Sequence, residues 1–158
     1  LKGAQSSGLD VGVYFFSQAI NVEEAREEAA FVLQQLREAG VTKLALPVAF
    51  DVEPSPDYSG RADNLSPAET NAIARAFCTT IQEAGYRVIV YGNKVDLNRF
   101  DLVSLDEPIW LAQYVDQPDV NFNFLIWQYT STGQVDGITG SVDLNLDFSR
   151  VSTSKSPK

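Results

Sequence analysis

The stretch Leu46-Pro-Val-Ala-Phe-Asp51-Val-Glu53-Pro54 has the alternating pattern of a β-strand that ends in two carboxylates. Because successive side chains of a strand point to opposite faces, its residues divide into two sets. The bulky apolar set is Leu46, Val48, Phe50 and Val52. The other set is Pro47, Ala49, Asp51 and Glu53. The two acids lie at the carboxyl end of the strand, which is the end that binds ligands in parallel α/β folds.

Helix signals surround this strand and repeat along the chain. Three helical segments stop at a glycine, the residue common just after a helix, and a β-rich run follows each of them. The three glycines are Gly8, Gly40 and Gly85. A capping box at Asn21 and Glu24 predicts one helix start, and Ser66 with Glu69 predicts a second. A third, shorter helix is predicted near Asn93.

Six strands are predicted, at residues 11–16, 46–51, 87–91, 109–114, 124–129 and 142–147. Strands joined by helices indicate βαβ units and a parallel sheet. A closed barrel needs eight strands and about 250 residues. The chain has 158 residues, and residues 1–8 have the pattern of a last helical turn. We therefore predict an α/β fold, an irregular and incomplete TIM-like barrel of about six strands. Periodicity alone leaves an open sheet as the alternative.

The composition excludes several classes of function. The 44% of hydrophobic residues indicates one ordinary globular domain, which we place at residues 1–148, with a disordered tail or linker start at 149–158. A net charge of -9 argues against a nucleic-acid partner, which needs clustered cations. The chain has no histidine, which removes an imidazole base or metal ligand. No apolar run reaches the ~20 residues of a membrane span.

Asp51 and Glu53 suit acid catalysis. Two residues apart on one strand, their carboxylates lie roughly 6 to 7 Å apart. Each raises the proton affinity of the other, and partial burial of one would keep it protonated near neutrality. Protonation of a glycosidic oxygen requires such an acid. The alternative is a strand end whose acids are merely solvated.

A second polar strand face is formed by Asp143, Asn145 and Asp147. Inside a barrel, burial of such residues costs free energy unless a ligand or hydrogen-bond partners contact them. On an edge strand they would instead form one solvent-exposed face. Asp143 and Asn145, together with Asp51 and Glu53, carry oxygens of the type that holds Mg²⁺ or Ca²⁺. Because no sequence-local ligand loop accompanies them, we predict no metal site and no cofactor.

Aromatic residues occur near the ends of several predicted strands. They are Tyr14, Tyr91, Trp110 and Tyr114. Sugars stack their flat C–H faces on such rings, so the set suits a saccharide groove. Taken singly, each ring is equally explained by packing in the core, where large rings dominate.

Seven short motifs occur in one order between residues 9 and 148. They are Val11-Gly-Val-Tyr14-Phe-Phe16-Ser17, Phe50-Asp51-Val-Glu53, Ala84-Gly-Tyr-Arg-Val-Ile-Val-Tyr91-Gly-Asn93, Trp110-Leu-Ala-Gln-Tyr114, Trp127-Gln-Tyr129-Thr, Gly133-Gln-Val-Asp-Gly-Ile138 and Val142-Asp143-Leu-Asn145. In this order the chain resembles glycoside hydrolase family 25, the muramidases of bacteria and their phages. The resemblance implies an irregular barrel that hydrolyses the β-1,4 bond between N-acetylmuramic acid and N-acetylglucosamine in peptidoglycan.

The resemblance also implies roles for individual residues. Glu53 would be the general acid, and Asp51 and Asp143 would steer the substrate N-acetyl group or stabilise positive charge at the anomeric carbon. The implied substrate-binding residues are Tyr14, Tyr91, Trp110, Gln113, Tyr114 and Asn145. The implied partners are peptidoglycan glycan strands, and the implied location is secreted or associated with the cell wall.

The sequence departs from the family pattern in two places. Phe15 stands where the family often has His, and the strand alternation predicts that Phe15 faces outward. The family also opens with a strand that bears a catalytic Asp, followed by a second βα unit, and this sequence has neither. An incomplete barrel would expose two strand edges, which predicts self-association.

Two alternatives to an active muramidase stay open at this point. The chain is either an active muramidase or a catalytically inactive domain that binds glycan or self-associates. A barrel glycosidase that acts on chitin-like substrates is the third reading, because chitin and peptidoglycan share acetamido sugars.

Overall fold

The computed structural model describes residues 1–55 and 57–149, in which six strands form a single sheet. The strands are β1 (Val13–Phe16), β2 (Val48–Asp51), β3 (Val88–Asn93), β4 (Ile109–Ala112), β5 (Ile126–Gly133) and β6 (Val142–Asp147). The helices are α1 (Lys2–Ser6), α2 (Val22–Glu38), α3 (Pro67–Glu83), α4 (Lys94–Leu97) and α5 (Leu102–Leu105). The predicted α/β fold with six strands is confirmed. Apart from Ser149, the predicted tail at 149–158 lies outside the described residues.

Strand direction changes at the last strand of the sheet. The order is β1-β2-β3-β4-β5-β6, with parallel pairs from β1 to β5 and an antiparallel pair between β5 and β6. A parallel crossover needs about a dozen residues. The connection at 113–125 is long enough without a helix, whereas the connection at 134–141 is not. The expected parallel pattern therefore stops at β5.

The predicted helix starts are present with their capping bonds. The N–H of Glu24 donates to Asn21 Oδ1 at 2.9 Å ahead of α2. At α3, the N–H of Glu69 donates to Ser66 Oγ at 3.3 Å, and the N–H of Ser66 donates back to Glu69 Oε2 at 2.8 Å. Asn93 caps α4. These bonds satisfy backbone donors that a helix start would otherwise leave open.

The outer face of the sheet packs under α2 and α3. Phe50 is fully buried and its ring lies 5.1 Å from that of Phe77 on α3. The ring of Phe15 lies 6.0 Å from Phe77 and 6.2 Å from Phe31 on α2, so Phe15 faces outward. Burial of one such ring stabilises the fold by roughly 1.5 to 3 kcal/mol. Since these residues pack outward, Asp51 is directed inward.

The inner face is strongly curved. Tyr14 from β1 and Asp143 from β6 line the same small cavity. In a flat sheet, five inter-strand spacings would separate them by about 24 Å. The sheet is therefore a curled half-barrel rather than the flat open sheet that periodicity left as an alternative.

The two edges of this half-barrel support a proposal of self-association. β1 pairs only with β2 and β6 pairs only with β5 within the described residues. Beside the β1 edge, the side chains of Leu9, Tyr14 and Phe16 are 62%, 70% and 46% exposed. An unpaired strand with exposed apolar side chains is a template for pairing with another chain.

We expect the mass in solution to rise above the 17.4 kDa of one chain as the concentration increases. Phe16→Lys places a charge at the edge and should lower this mass, because charged residues block edge pairing. Val103→Lys, at an exposed position on α5, is the control of equal charge and should behave as wild type. Light scattering after size exclusion measures the mass. A single-chain mass at every concentration would contradict the proposal.

Candidate active site

The carboxyl ends of the parallel strands meet around two neighbouring cavities on the inner face. A cavity of about 220 Å³ is lined by Tyr14, Asp51, Glu53, Tyr91, Trp110, Gln128 and Asp143. A cavity of about 370 Å³ is lined by Glu53, Tyr91, Asn93, Ala112, Gln113 and Tyr114. Glu53 and Tyr91 line both cavities, so they stand where the two spaces adjoin.

A third cavity extends along the inner face below the acids. It measures about 400 Å³, and Tyr14 and Trp110 line it as well as the first cavity. Asn145 lies here and accepts a hydrogen bond from Trp110 Nε1 at 2.8 Å. The nine residues singled out in the sequence are thus distributed over one continuous trough. The structure places them together, while their roles remain proposals.

Asp51 is the buried member of the acid pair. Its side chain is 5% exposed, and Oδ1 has no hydrogen-bond partner among the described residues. Burial, followed by the charge of Glu53 and a hydrogen bond with Glu53, raises the pKa of Asp51 to about 7. Glu53 is only partly buried. Burial therefore keeps a proton on Asp51 up to near-neutral pH.

Tyr91 is held in place by its neighbours. Its ring meets that of Trp110 edge to face at 4.9 Å, and its hydroxyl donates to Gln128 Oε1 at 2.9 Å. Burial and the nearby charge of Glu53 raise the pKa of the Tyr91 hydroxyl above its usual range. The phenol therefore stays neutral and keeps its proton for hydrogen bonding.

Gln128 is a site residue that the sequence reasoning missed. It is 3% exposed on β5, and its Oε1 accepts from the hydroxyls of both Tyr91 and Tyr114, at 2.9 and 3.0 Å. The available signal was a polar residue between Trp127 and Tyr129 at a strand position. A buried amide there needs partners, and the two tyrosines provide them.

Gln113 is engaged at the rim of the second cavity. Its Nε2 donates to Asp119 Oδ1, and its Oε1 accepts from the N–H of Asp119 at 3.3 Å. Lys94 Nζ lies 2.8 Å from Asp119 Oδ2. Gln113 is therefore held by a neighbouring loop. Asp143 is exposed and lines the cavity that contains Asp51 and Glu53.

The described residues contain neither a cluster of metal ligands nor a membrane-spanning helix. Within residues 1–55 and 57–149, no three Cys, Asp or Glu side chains are arranged to hold a metal ion. In the same part of the chain, no helix has the length and apolar character needed to cross a bilayer. The chemistry that the described site offers is that of carboxyl, phenol and amide groups.

An acid pair in an aromatic trough, at the carboxyl ends of a half-barrel, is the architecture of an α/β-barrel glycosidase. The family model of glycosyl hydrolases family 25 matches residues 1–138. The chain belongs to this family.

Known proteins with similar sequences and structures agree with this assignment. The autolytic lysozyme of Clostridium acetobutylicum is 29% identical over 146 residues, which are 90% of this chain and 41% of that protein. The modular autolysin LytC of Streptococcus pneumoniae has a TM-score of 0.79 and 26% identity, over 91% of this chain and 35% of LytC. The spore cortex lytic enzyme SleM of Clostridium perfringens shares the fold, with a TM-score of 0.75 and 22% identity over 92% of this chain and 52% of SleM. The chain thus spans about 40% of the lysozyme's length.

Burial of Asp51 predicts a pH dependence of stability. Its pKa is raised to about 7 from an unfolded value near 4. The folded state therefore binds more protons than the unfolded state between pH 4 and 7, and stability falls as the pH rises through this window. Asp51→Asn should reduce this loss of stability with rising pH. It should also increase the free energy of unfolding at neutral pH by a few kcal/mol, because each unit of the pKa shift corresponds to roughly 1.4 kcal/mol.

Urea denaturation at a series of pH values measures this effect. Asp136→Asn, which makes the same replacement on an exposed side chain, is the matched control. An Asp51→Asn variant that keeps the wild-type slope between pH 4 and 7 would show that Asp51 is not the responsible group.

Proposed function

We propose that the chain is a peptidoglycan muramidase domain, residues 1–148, with Glu53 as its general acid. Membership of glycosyl hydrolases family 25 supports the substrate class. The observation that carries the role of Glu53 is its position between the two cavities of the trough. A sugar in each cavity would place the bond between them at Glu53.

The proposed chemistry begins with proton transfer. Glu53 donates a proton to the glycosidic oxygen, and the bond from that oxygen to the anomeric carbon breaks as the oxygen takes the bonding electrons. Water then forms a bond from its oxygen to the anomeric carbon and releases one proton to the acid pair, which regains the proton that it donated. Asp51 and Asp143 stabilise the positive charge that develops there or steer the N-acetyl group. Before the transfer to the glycosidic oxygen, Asp51 passes its proton to Glu53 through the hydrogen bond that joins the two acids, which leaves Asp51 as the anion.

The aromatic and amide groups are proposed to bind the glycan. Tyr14 and Tyr114 are 70% and 55% exposed, so their rings are available for stacking. Tyr91 and Trp110 line the cavity that contains the two acids. Gln113 and Asn145 lie at the two ends of the trough, where their amides can contact sugar hydroxyls. Because the substrate is peptidoglycan, we propose action outside the cell or at the cell wall.

A glycan-binding domain without catalysis is the second candidate. The structure offers one specific reason, which is that Tyr14 and Asp143 lie on the two edge strands of the sheet that the described residues form. Part of the trough therefore depends on strands with a neighbour on one side only. Binding to purified cell walls without a fall in turbidity would support this candidate. Release of sugar fragments from chitin oligomers but not from peptidoglycan would support a glycosidase that acts on chitin-like substrates.

We expect Glu53→Gln to lower the rate of cell-wall clearing by at least about 100-fold, since loss of a general acid costs 10² to 10⁴ in rate. The measurement is the turbidity of a suspension of purified walls. Glu23→Gln on α2, an exposed position, is the control and should clear at the wild-type rate. A normal rate in Glu53→Gln would overturn the assignment of Glu53.

A further inference from the structure

Gln128 sets the hydrogen-bonding character of two tyrosines that line the second cavity, which measures about 370 Å³. Its Oε1 accepts from the hydroxyls of Tyr91 and Tyr114, at 2.9 and 3.0 Å. An amide oxygen has two lone pairs, and a phenol has a single O–H proton. The two bonds therefore occupy both lone pairs of Oε1 and the protons of both phenols. Each phenol oxygen can still accept a hydrogen bond from a ligand.

The backbone of β5 fixes the orientation of Gln128. Gln128 pairs with Asn145 on β6, and the register of this antiparallel pair shifts directly afterwards, between Gln128 and Thr130. Such a bulge redirects the side chains beside it, and bulges are common next to active sites. Gln128 is 3% exposed and lines the cavity of the two acids. Burial holds its amide in one place, so the phenol protons stay directed at it.

Asn93 provides the complementary group in the second cavity. It lines this cavity together with Tyr91 and Tyr114. Its Oδ1 accepts from the N–H groups of Val95 and Asp96, at 2.8 and 3.0 Å, so the capping of α4 occupies both lone pairs of this oxygen. The Nδ2 group is what Asn93 can offer to a ligand, and this group donates hydrogen bonds.

Ala112 adds a small apolar surface to the same cavity. It is 7% exposed at the end of β4. The second cavity thus combines two acceptor oxygens, a donor amide and a methyl group, which is the kind of lining that orients a small ligand group. An acetamido group has the matching set, since its N–H donates, its carbonyl accepts and its methyl group is apolar. A sugar hydroxyl has neither the carbonyl nor the methyl group, so it makes fewer of these contacts.

We propose that the second cavity binds an acetamido group of the glycan and that Gln128 is the positioning residue that makes it selective. The N–H of the acetamido group donates to the phenol oxygens of Tyr91 and Tyr114. Its carbonyl accepts from Asn93 Nδ2, and its methyl group packs on Ala112. Gln128 acts through the two tyrosines, because it holds their protons away from the N–H.

The acetamido group bound here belongs to the sugar next to the one that reacts. Asp51 and Asp143 line the first cavity, where they are proposed to act at the anomeric carbon. Glu53 lines both cavities, so the second cavity lies across the scissile bond from these acids. The inference rests on the proposed function in one respect, because it needs a glycan with acetamido sugars on both sides of Glu53.

Isothermal titration calorimetry with two tetrasaccharides tests this site without any need for activity. The β-1,4 tetramer of N-acetylglucosamine has an acetamido group on every sugar, and the β-1,4 tetramer of glucose has a hydroxyl in its place. We expect the wild type to bind the acetamido tetramer more tightly. Gln128→Met frees the phenol protons to turn toward the N–H and should lower the ratio of the two affinities at least about 5-fold.

Gln128→Glu is the variant that distinguishes positioning from a merely structural role. Its carboxyl group keeps an oxygen that accepts from both phenols, so the ratio of affinities should return to the wild-type value. Loss of a structural role would weaken the binding of both tetramers alike. Gln34→Met, the same replacement at an exposed position on α2, is the matched control for Gln128→Met and should keep the wild-type ratio.

Two further variants test the partners of the acetamido group. Asn93→Asp keeps a helix cap but presents an oxygen in place of Nδ2, so the ratio should fall about 5-fold. Tyr114→Phe removes one acceptor oxygen from a ring that is 55% exposed and should also lower the ratio. An unchanged ratio in folded Gln128→Met, or a wild type without preference for the acetamido tetramer, would overturn the proposal. If Gln128→Met does not fold, Tyr114→Phe decides, and an unchanged ratio there overturns it.

Cell-wall clearing separates this inference from the proposed function. If the wild-type chain clears no walls while the affinity ratios change as expected, the proposed function fails and the acetamido site stands. If the wild-type chain clears walls while Gln128→Met keeps the wild-type ratio, the acetamido site fails and the proposed function stands.

Discussion

The alternation of side chains along β2 is the constraint on which the site depends. Phe50 must pack outward against Phe77, and this fixes Asp51 on the inner face one residue later. A shift by one residue would exchange the two faces and expose Phe50. The high proton affinity of Asp51 is thus a consequence of core packing. The stability gained from the aromatic cluster offsets the cost of a buried acid.

Curvature of the sheet is maintained by side chains as well as by strand pairing. Trp110 on β4 donates a hydrogen bond to Asn145 on β6, across the intervening strand β5. Gln128 on β5 accepts hydrogen bonds from the hydroxyl groups of Tyr91 on β3 and of Tyr114 just beyond β4. Polar contacts of this kind are geometrically demanding. They hold the aromatic rings at the walls of the trough.

Most of the fold could be predicted because its signals are local. Capping at Asn21 and Ser66, and the alternation around Asp51, depend on residues a few positions apart. The reversal of β6 and the partners of Gln128 depend on connection length and on contacts between separate strands. The sequence reasoning expected burial of one acid without identifying which, since burial depends on contacts between segments far apart in the sequence.

Both tryptophans of the chain lie beside the trough. Trp110 lines the cavity of the two acids and the cavity of Asn145. Trp127 Nε1 donates at 2.8 Å to the carbonyl of Gln113, whose side chain lines the remaining cavity. Indole emission responds to the polarity and hydrogen bonding of its surroundings. The intrinsic fluorescence of this protein is therefore an optical signal that originates at the proposed glycan site. Occupancy of the groove can be followed in solution without a label.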